Sequence, residues 1–319
     1  MKPKLLREKI AQKRSKGYGS RMNYKKITVA GSGVLGSQIA FQTAYKGFSV
    51  SVYDINQQAI DRAKERIRQL KLNYMQDLKA SKKEVDRAGE RISFYLELAE
   101  AVSQADLVIE VVPEQVAIKM DFYSKLSKAA PGKTVFATNS STLLPSKFAE
   151  VTGRPEKFLA LHFANQIWLN NTAEIMKHAK TDQGIFEEVV SFAKAIGMVT
   201  LPIYKEQPGY ILNSLLVPLL NAALMLKVKE IADHQTIDKA WMVGTGAAYG
   251  PFAMLDIVGI RTVHNILLSK GEDGDENAMY LAQWLKNQYL DKGKDGKETG
   301  EGFYRYPNPA FLDSNFLIM

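Results

Sequence analysis

The sequence predicts an α/β chain: a doubly wound, mainly parallel sheet over residues 22–204, then an all-helical C-terminal domain over 205–319. Three observations predict it. Lys26-Ile-Thr-Val-Ala30, rich in β-branched residues, runs into the glycine turn Gly31-Ser-Gly-Val-Leu-Gly36 and then a helical stretch over 37–46. Short apolar runs then alternate with helical patterns, as in sheets whose parallel strands are joined by crossover helices. After Pro208-Gly209 the apolar stretches lengthen and read as helix throughout.

The first unit fixes the kind of domain. The spacing G-x-G-x-x-G between a strand and a helix is that of a Rossmann-type dinucleotide site. Gly31 allows the tight turn, Gly33 lets a pyrophosphate approach the backbone, and Gly36 lets helix and strand pack closely. With Val34 and Leu35 they form the expected phosphate-binding loop, where the helix N-terminus offers free N–H groups and partial positive charge. A second strand over 48–53 ends at Asp54, at about the separation where a carboxylate takes the ribose hydroxyls of an adenosine. An acid there repels a 2′-phosphate, so the expected cofactor is NAD rather than NADP.

Composition narrows the remaining classes. The 319 residues are 46% hydrophobic and 24% charged, ordinary for a globular protein. There is no apolar run of membrane length, since 212–226 is broken by Asn213, Pro218 and Asn221. The absence of cysteine excludes disulfides, thiolate metal sites and a cysteine nucleophile, and suits a reducing, cytoplasmic setting. The net charge of +8 is concentrated at one end: residues 1–21 hold eight Lys or Arg against Glu8, leaving the rest near neutral. The high charge is therefore no sign of a nucleic-acid partner. Residues 1–21 read as a basic leader, without the apolar core of a secretory signal, expected to be disordered; translation is expected to start at Met22.

Beyond Asp54, residues 57–78 predict a long amphipathic helix with Ile60, Ala63, Ile67, Leu70 and Tyr74 on one face. Its polar face carries Arg62, Lys64, Arg66, Arg68 and Lys71, a set that suits either a solvated surface or an anionic ligand such as a nucleotide 3′-phosphate. A short polar helix over 81–88 and a strand over 92–94 follow. Strands are expected over 107–112, 134–138, 158–163, 172–177 and 199–203. Glu114, and Lys119 on the next helix, lie just past the carboxyl end of the 107–112 strand, and Asn139-Ser-Ser-Thr142 ends the next. In open α/β sheets that edge is where ligands bind. The second domain is expected to hold helices over 210–226, 236–243, 251–258, 260–268 and 278–288, then a polar glycine loop over 292–302.

The chemistry centres on His162, set in the apolar strand Leu159-Ala-Leu-His-Phe163. Glu174 in the next strand can reach one ring nitrogen, and Ser141 ends the preceding strand at the same edge. A carboxylate-oriented histidine beside a hydroxyl is the set needed to take the proton of a secondary alcohol while hydride leaves its carbon. Ser141 and an amide such as Asn213 would hold the substrate oxygen. A Ser/His/Glu hydrolase would use the same residue types, but no G-x-S-x-G elbow surrounds Ser141. The four histidines have no metal-ligand spacing, so no metal is expected.

Taken together, Gly31-Ser-Gly-Val-Leu-Gly36, Val108-Ile-Glu-Val-Val-Pro-Glu114, Thr138-Asn-Ser-Ser-Thr-Leu143, Leu161-His-Phe163, Gln207-Pro-Gly-Tyr-Ile-Leu-Asn213, Gly250-Pro-Phe252 and Lys297-Glu-Thr-Gly-Glu-Gly-Phe-Tyr304 resemble the L-3-hydroxyacyl-CoA dehydrogenase family, in its order and near its spacing. The resemblance implies that His162 is the catalytic base and Glu174 its partner, and that Ser141 and Asn213 hold substrate. It implies that Glu114 and Lys119 contact the nicotinamide half of NAD, with Asn139 also at the cofactor. It further implies a homodimer formed through the helical domain, a place in fatty-acid metabolism, and reversible oxidation of an L-3-hydroxyacyl-CoA, with no nucleic-acid or membrane partner.

Departures lie beside the substrate. The family's H-F-F-N-P is here His162-Phe-Ala-Asn-Gln166, Trp168, Asn170 and Asn171 replace a mostly apolar run, and Ser214 stands where Arg is usual. Trp168 could occupy acyl-chain space or serve packing. Ser141-Thr-Leu-Leu-Pro-Ser146 also resembles the branch of L-gulonate 3-dehydrogenase and lambda-crystallin, which makes a free 3-hydroxy acid the alternative substrate. A non-catalytic NAD(H)-binding structural protein is the alternative of another class.

Overall fold

The structure, a computed structural model, describes residues 24–318; the expected leader over 1–21 lies outside the described residues. Eight strands form one sheet: β1 (Lys26–Ala30), β2 (Ser49–Tyr53), β3 (Ile92–Tyr95), β4 (Leu107–Glu110), β5 (Val135–Thr138), β6 (Phe158–Phe163), β7 (Thr172–Met176) and β8 (Val199–Ile203). Their spatial order is β3-β2-β1-β4-β5-β6-β7-β8. Neighbours are parallel except β6 and β7, which pair antiparallel with His162 opposite Glu174. The order reverses at β1, so the crevice past its carboxyl end lies between diverging crossovers, where such sheets bind nucleotides.

The crossovers carry α1 (Val34–Tyr45), α2 (Gln57–Leu78), α3 (Lys82–Glu90), α4 (Leu98–Val102), α5 (Val116–Ala129), α6 (Ser146–Ala149) and α7 (Gln183–Ala195). Central strands β4 and β5 are apolar at successive positions because both faces are covered. Leu107, Ile109, Val135 and Ala137 join Ile39 and Phe41 of α1 and Phe192 of α7 on one side. Val108 and Phe136 join Phe122 and Leu126 of α5 on the other. Helix α2 has the expected bounds and buries Ile60, Ala63, Ile67, Leu70 and Tyr74. Ser81 and Glu84 close a capping box at the start of α3.

Residue contacts divide the chain after Ile211, where the sequence reading placed the boundary at 204/205. The reason lies at residue 210. Tyr210, expected to open a helix, has φ 55 and sits in a turn packed on Ala160, Met176 and Ile203 of the first unit. The helix α8 begins two residues later (Leu212–Val228). Strand β4 stops at Glu110 rather than continuing to Val112, whose N–H turns to the Glu110 carboxylate (2.8 Å).

The second unit comprises α8, α9 (His234–Thr245), α10 (Pro251–Val258), α11 (Ile260–Glu272) and α12 (Glu276–Gln288), around Leu224, Phe252, Leu255, Ile260, Leu281 and Leu285. Two buried aspartates organise it. Asp238 accepts from Phe252 N and Ala253 N at the start of α10 and from the Tyr304 hydroxyl (2.8, 3.1 and 2.8 Å). Asp256 accepts from Phe303 N and Tyr304 N, both at 2.8 Å. The polar glycine loop wraps this second carboxylate: a Cβ on Gly302 would lie 2.1 Å from Asp256 Oδ1, and one on Gly296 2.4 Å from Asp256 O. Among the described residues no single helix is long and apolar enough to cross a membrane.

Candidate active site at the carboxyl edge of the sheet

The glycine turn has the geometry its spacing implies. Gly31 has φ 105, and a Cβ there would lie 2.4 Å from Val111 O. A Cβ on Gly36 would lie 2.0 Å from Gly31 O, so strand and helix meet at that point. Gly33 differs: a Cβ there would meet no protein atom within 4 Å. Its smallness serves nothing in the protein's own packing, and it leaves the backbone bare toward the crevice, as a bound pyrophosphate requires. Val34, 60% exposed, and half-buried Leu35 open α1 there, with first-turn N–H groups that have no carbonyl partner within the helix.

Beside this turn lies a cavity of about 540 Å³ lined by Gly31, Gly33, Asp54, Arg62, Arg66 and Val112 among others. Asp54 is held in place by a residue the sequence reading passed over. Ser32 donates from both its N–H (2.8 Å) and its hydroxyl (2.6 Å) to Asp54 Oδ2, while Oδ1 accepts from Ile55 N (2.8 Å). The basic face of α2 divides. Arg62 and Arg66 line the cavity, whereas Lys71 pairs with Asp86 (2.9 Å), Arg68 with Glu65, and Lys64 lies 3.8 Å from Asp61.

Further along the edge, a buried charge network fixes the loop after β5. The fully buried Lys119 ammonium lies 2.6 Å from Glu110 and 3.2 Å from Glu114. Glu110, also fully buried, accepts from Tyr123 (2.9 Å) and Thr138 (2.8 Å) as well, so the buried pair is hydrogen-bonded throughout. Glu114 Oε1 gathers the loop: it accepts from the Ser140 hydroxyl, from Ser141 N and Thr142 N (both 3.1 Å), and from the Thr142 hydroxyl (2.9 Å). Burial opposes its ionisation, but the Ser140 hydroxyl, the Lys119 charge and the Thr142 donors outweigh it and hold its carboxyl at about 2. Asn139 Oδ1 accepts from Phe163 N (3.0 Å), tying the same loop to β6. Lys119 and Glu114 thus shape the loop that carries Ser141. Glu110 was not singled out from the sequence because it reads as one more position in an apolar strand.

Ser141, His162 and Glu174 come together as one chain of contacts. His162 Nε2 is 3.1 Å from Ser141 Oγ, and Nδ1 is 3.0 Å from Glu174 Oε2. The antiparallel register of β6 and β7 produces the second contact by setting the two residues opposite each other. Glu174 is buried and its Oε1 accepts from Ile211 N (2.9 Å), so the carboxylate is fixed at both oxygens. With the ring proton on Nδ1 donating to the Glu174 carboxylate, the Nε2 lone pair faces the Ser141 side. Asn213 is the second residue of α8 and belongs to the second unit.

The departures after β6 have local explanations. Trp168 Nε1 donates to Asp77 Oδ2 (2.9 Å), and its ring lies 5.5 Å from that of Tyr74, so Trp168 packs the loop onto α2. Gln166 has φ 57 and its N–H donates to the buried Gln38 side chain (2.8 Å). Proline, confined to φ near −65°, does not fit that backbone, so this turn is built differently from one ending in Asn-Pro.

Both units of the chain match known family models. Residues 26–207 match the model of the 3-hydroxyacyl-CoA dehydrogenase NAD-binding domain, and residues 209–306 match that of its C-terminal domain. The mitochondrial hydroxyacyl-coenzyme A dehydrogenase of Homo sapiens is 34% identical over 287 residues, covering 88% of this chain and 91% of that protein. A probable 3-hydroxybutyryl-CoA dehydrogenase of Bacillus subtilis is 30% identical, covering 89% and 98%. Among solved structures, a diketoreductase described as performing substrate-directed dual catalysis of dicarbonyl compounds is 53% identical, with a TM-score of 0.86, covering 89% of this chain and 99% of its own.

Proposed function

The chain belongs to the 3-hydroxyacyl-CoA dehydrogenase family, and on that premise we propose that it interconverts an L-3-hydroxyacyl-CoA and its 3-oxoacyl-CoA with NAD, His162 and Glu174 serving as the base pair. The observation that carries this reading is the chain of contacts from Ser141 through His162 to Glu174 at the edge of an NAD-binding sheet. When bound, the nicotinamide gives or takes the hydride. The turn from Gly31 to Gly36 and Asp54 hold the dinucleotide, and the loop set by Glu114 and Lys119 borders its reactive end. In oxidation, His162 Nε2 removes the hydroxyl proton and Ser141 orients that oxygen. Glu174 keeps the imidazole in the required tautomer and balances the charge it acquires, a contribution of about 10²–10⁴-fold for such a base. The helical domain exposes Leu215, Ile231 and Val243, each about two-thirds accessible, and pairing with a second copy of the chain through such side chains is the proposed assembly.

A second reading keeps the chemistry and dispenses with CoA. It is supported by the higher identity to the diketoreductase and by the α2 cations Lys64, Arg68 and Lys71, each set near its own acid. The deciding experiment is NADH oxidation by the purified protein with acetoacetyl-CoA beside free acetoacetate and ethyl acetoacetate. Turnover of the CoA ester alone supports the first reading; comparable or faster turnover of either CoA-free compound supports the second; turnover of none contradicts both.

A further inference from the structure

The segment that closes the first unit does more than lead out of it. Gly209 and Tyr210 both have positive φ, 78 and 55. For glycine this is ordinary; for tyrosine it is strained and persists only where the surroundings over-determine it. The surroundings here are the proposed base and its neighbours. The Tyr210 ring stacks on the His162 imidazole, with centroids 4.7 Å apart and planes at 28°. Its hydroxyl donates to Ser140 O (2.7 Å), the carbonyl immediately before Ser141. The next residue, Ile211, donates its N–H to Glu174 (2.9 Å). One turn therefore touches His162, Glu174 and the residue that precedes Ser141. Tyr210 is fully buried, and burial together with the nearby Glu114 and Glu174 carboxylates pushes its hydroxyl up, so it remains a donor.

We infer that Tyr210 is a positioning residue for the reaction: its ring sets the plane of the His162 imidazole, and its hydroxyl sets the turn that carries Ser141. The inference rests on the reading of His162 as the base. A residue that only filled the space beside Ala160, Met176 and Ile203 would need neither the left-handed backbone nor the polar tip. The stacked face also suits the imidazolium formed when the base takes its proton, since an aromatic face attracts a cation.

The test uses the full-length protein and the 3-oxo compound that the parent reduces. Steady-state kcat and KM, NADH affinity by fluorescence titration and the thermal midpoint are measured for Tyr210→Phe, Tyr210→Leu and, as a marker of the base, His162→Gln. Tyr210→Phe keeps the stack and loses one hydrogen bond, so kcat is expected to fall about 3- to 10-fold. Tyr210→Leu loses both, and kcat is expected to fall about 10²-fold, the scale of a small misplacement of reacting groups. KM and NADH affinity stay within about twofold in both, and NADH binds at the parental stoichiometry per chain, which mere loss of folded protein would lower; Phe restores most of what Leu loses. An inactive His162→Gln beside a Tyr210→Leu of parental kcat overturns the inference and spares the base. A His162→Gln of parental kcat overturns the base assignment, and the inference with it. Should Tyr210→Leu fail to fold, Tyr210→Phe decides: parental kcat overturns the inference, and the expected drop at unchanged NADH affinity supports it.

Discussion

Glu174 and Glu114 are both carboxylates at the edge of one sheet, yet the structure spends them differently. Glu174 faces a ring nitrogen and one backbone N–H, so its charge bears on what His162 can do. Replacing it with Gln keeps the size and removes the charge. The expected outcome is a loss in kcat of roughly 10²-fold with NADH affinity unchanged, by analogy with removing the orienting acid of a histidine base. Stopped-flow NADH oxidation together with a fluorescence titration checks it. At the opposite end of the crevice, Asp54→Ala should do the reverse, weakening NADH binding about tenfold or more while leaving kcat at saturating NADH within a few-fold; titration and saturation kinetics measure the two separately. Ser141, His162, Glu174 and Asp54 were legible in the sequence because each is a reactive type placed at the end of, or within, a recognisable strand. Ser32, Glu110 and Tyr210 were not. Their roles are to hold residues 22, 9 and 70 positions away, and only the fold reveals those partners.

Secondary elements were read most accurately where periodicity is strong. α2, β6 and β8 have the bounds the sequence implied, because an amphipathic stripe or an apolar run ends at a cap or a turn. α4 and α6 are too short to show a period and were not anticipated. The glycine loop over 292–302 was legible as a loop, but not as the collar of Asp256, since nothing in the sequence pairs it with α10. That collar gives two predictions. Gly302→Ala drives a methyl into the Asp256 carboxylate and should lower stability by about 1–3 kcal/mol, read from chemical denaturation. Burial, outweighing the Phe303 and Tyr304 N–H donors, pushes Asp256 up to about 6 from an ordinary 3.8. Between those values the folded state binds a proton that the unfolded state has released. Its contribution to stability is therefore complete below about 4 and is lost as pH rises through about 6. The thermal midpoint of the parent should decline over that interval more steeply than that of Asp256→Asn, which lacks the titrating group; parallel profiles would contradict the assignment.

At the scale of the whole molecule, two units with separate cores follow one another in the sequence. The first unit holds the glycine turn, Asp54, Ser141, His162 and Glu174; Asn213 occupies the second position of the second unit's first helix. The alternation of strands and helices followed by long apolar helices made both architectures legible. The boundary was read early because Pro208-Gly209 looks like a break, whereas Tyr210 and Ile211 still belong to the first unit through their contacts with Ser140, His162 and Glu174. If the exposed apolar residues of the helical unit pair with a second copy, light scattering at micromolar concentration gives twice the chain mass, and Val243→Glu shifts it toward one chain. The proposed role of His162 as the base is tested by the rate of NADH oxidation at saturating 3-oxo substrate for His162→Gln against the parent, with NADH affinity measured on the same samples. A base at His162 requires a fall of about 10²-fold or more at unchanged affinity; a variant that turns over near the parental rate would rule it out.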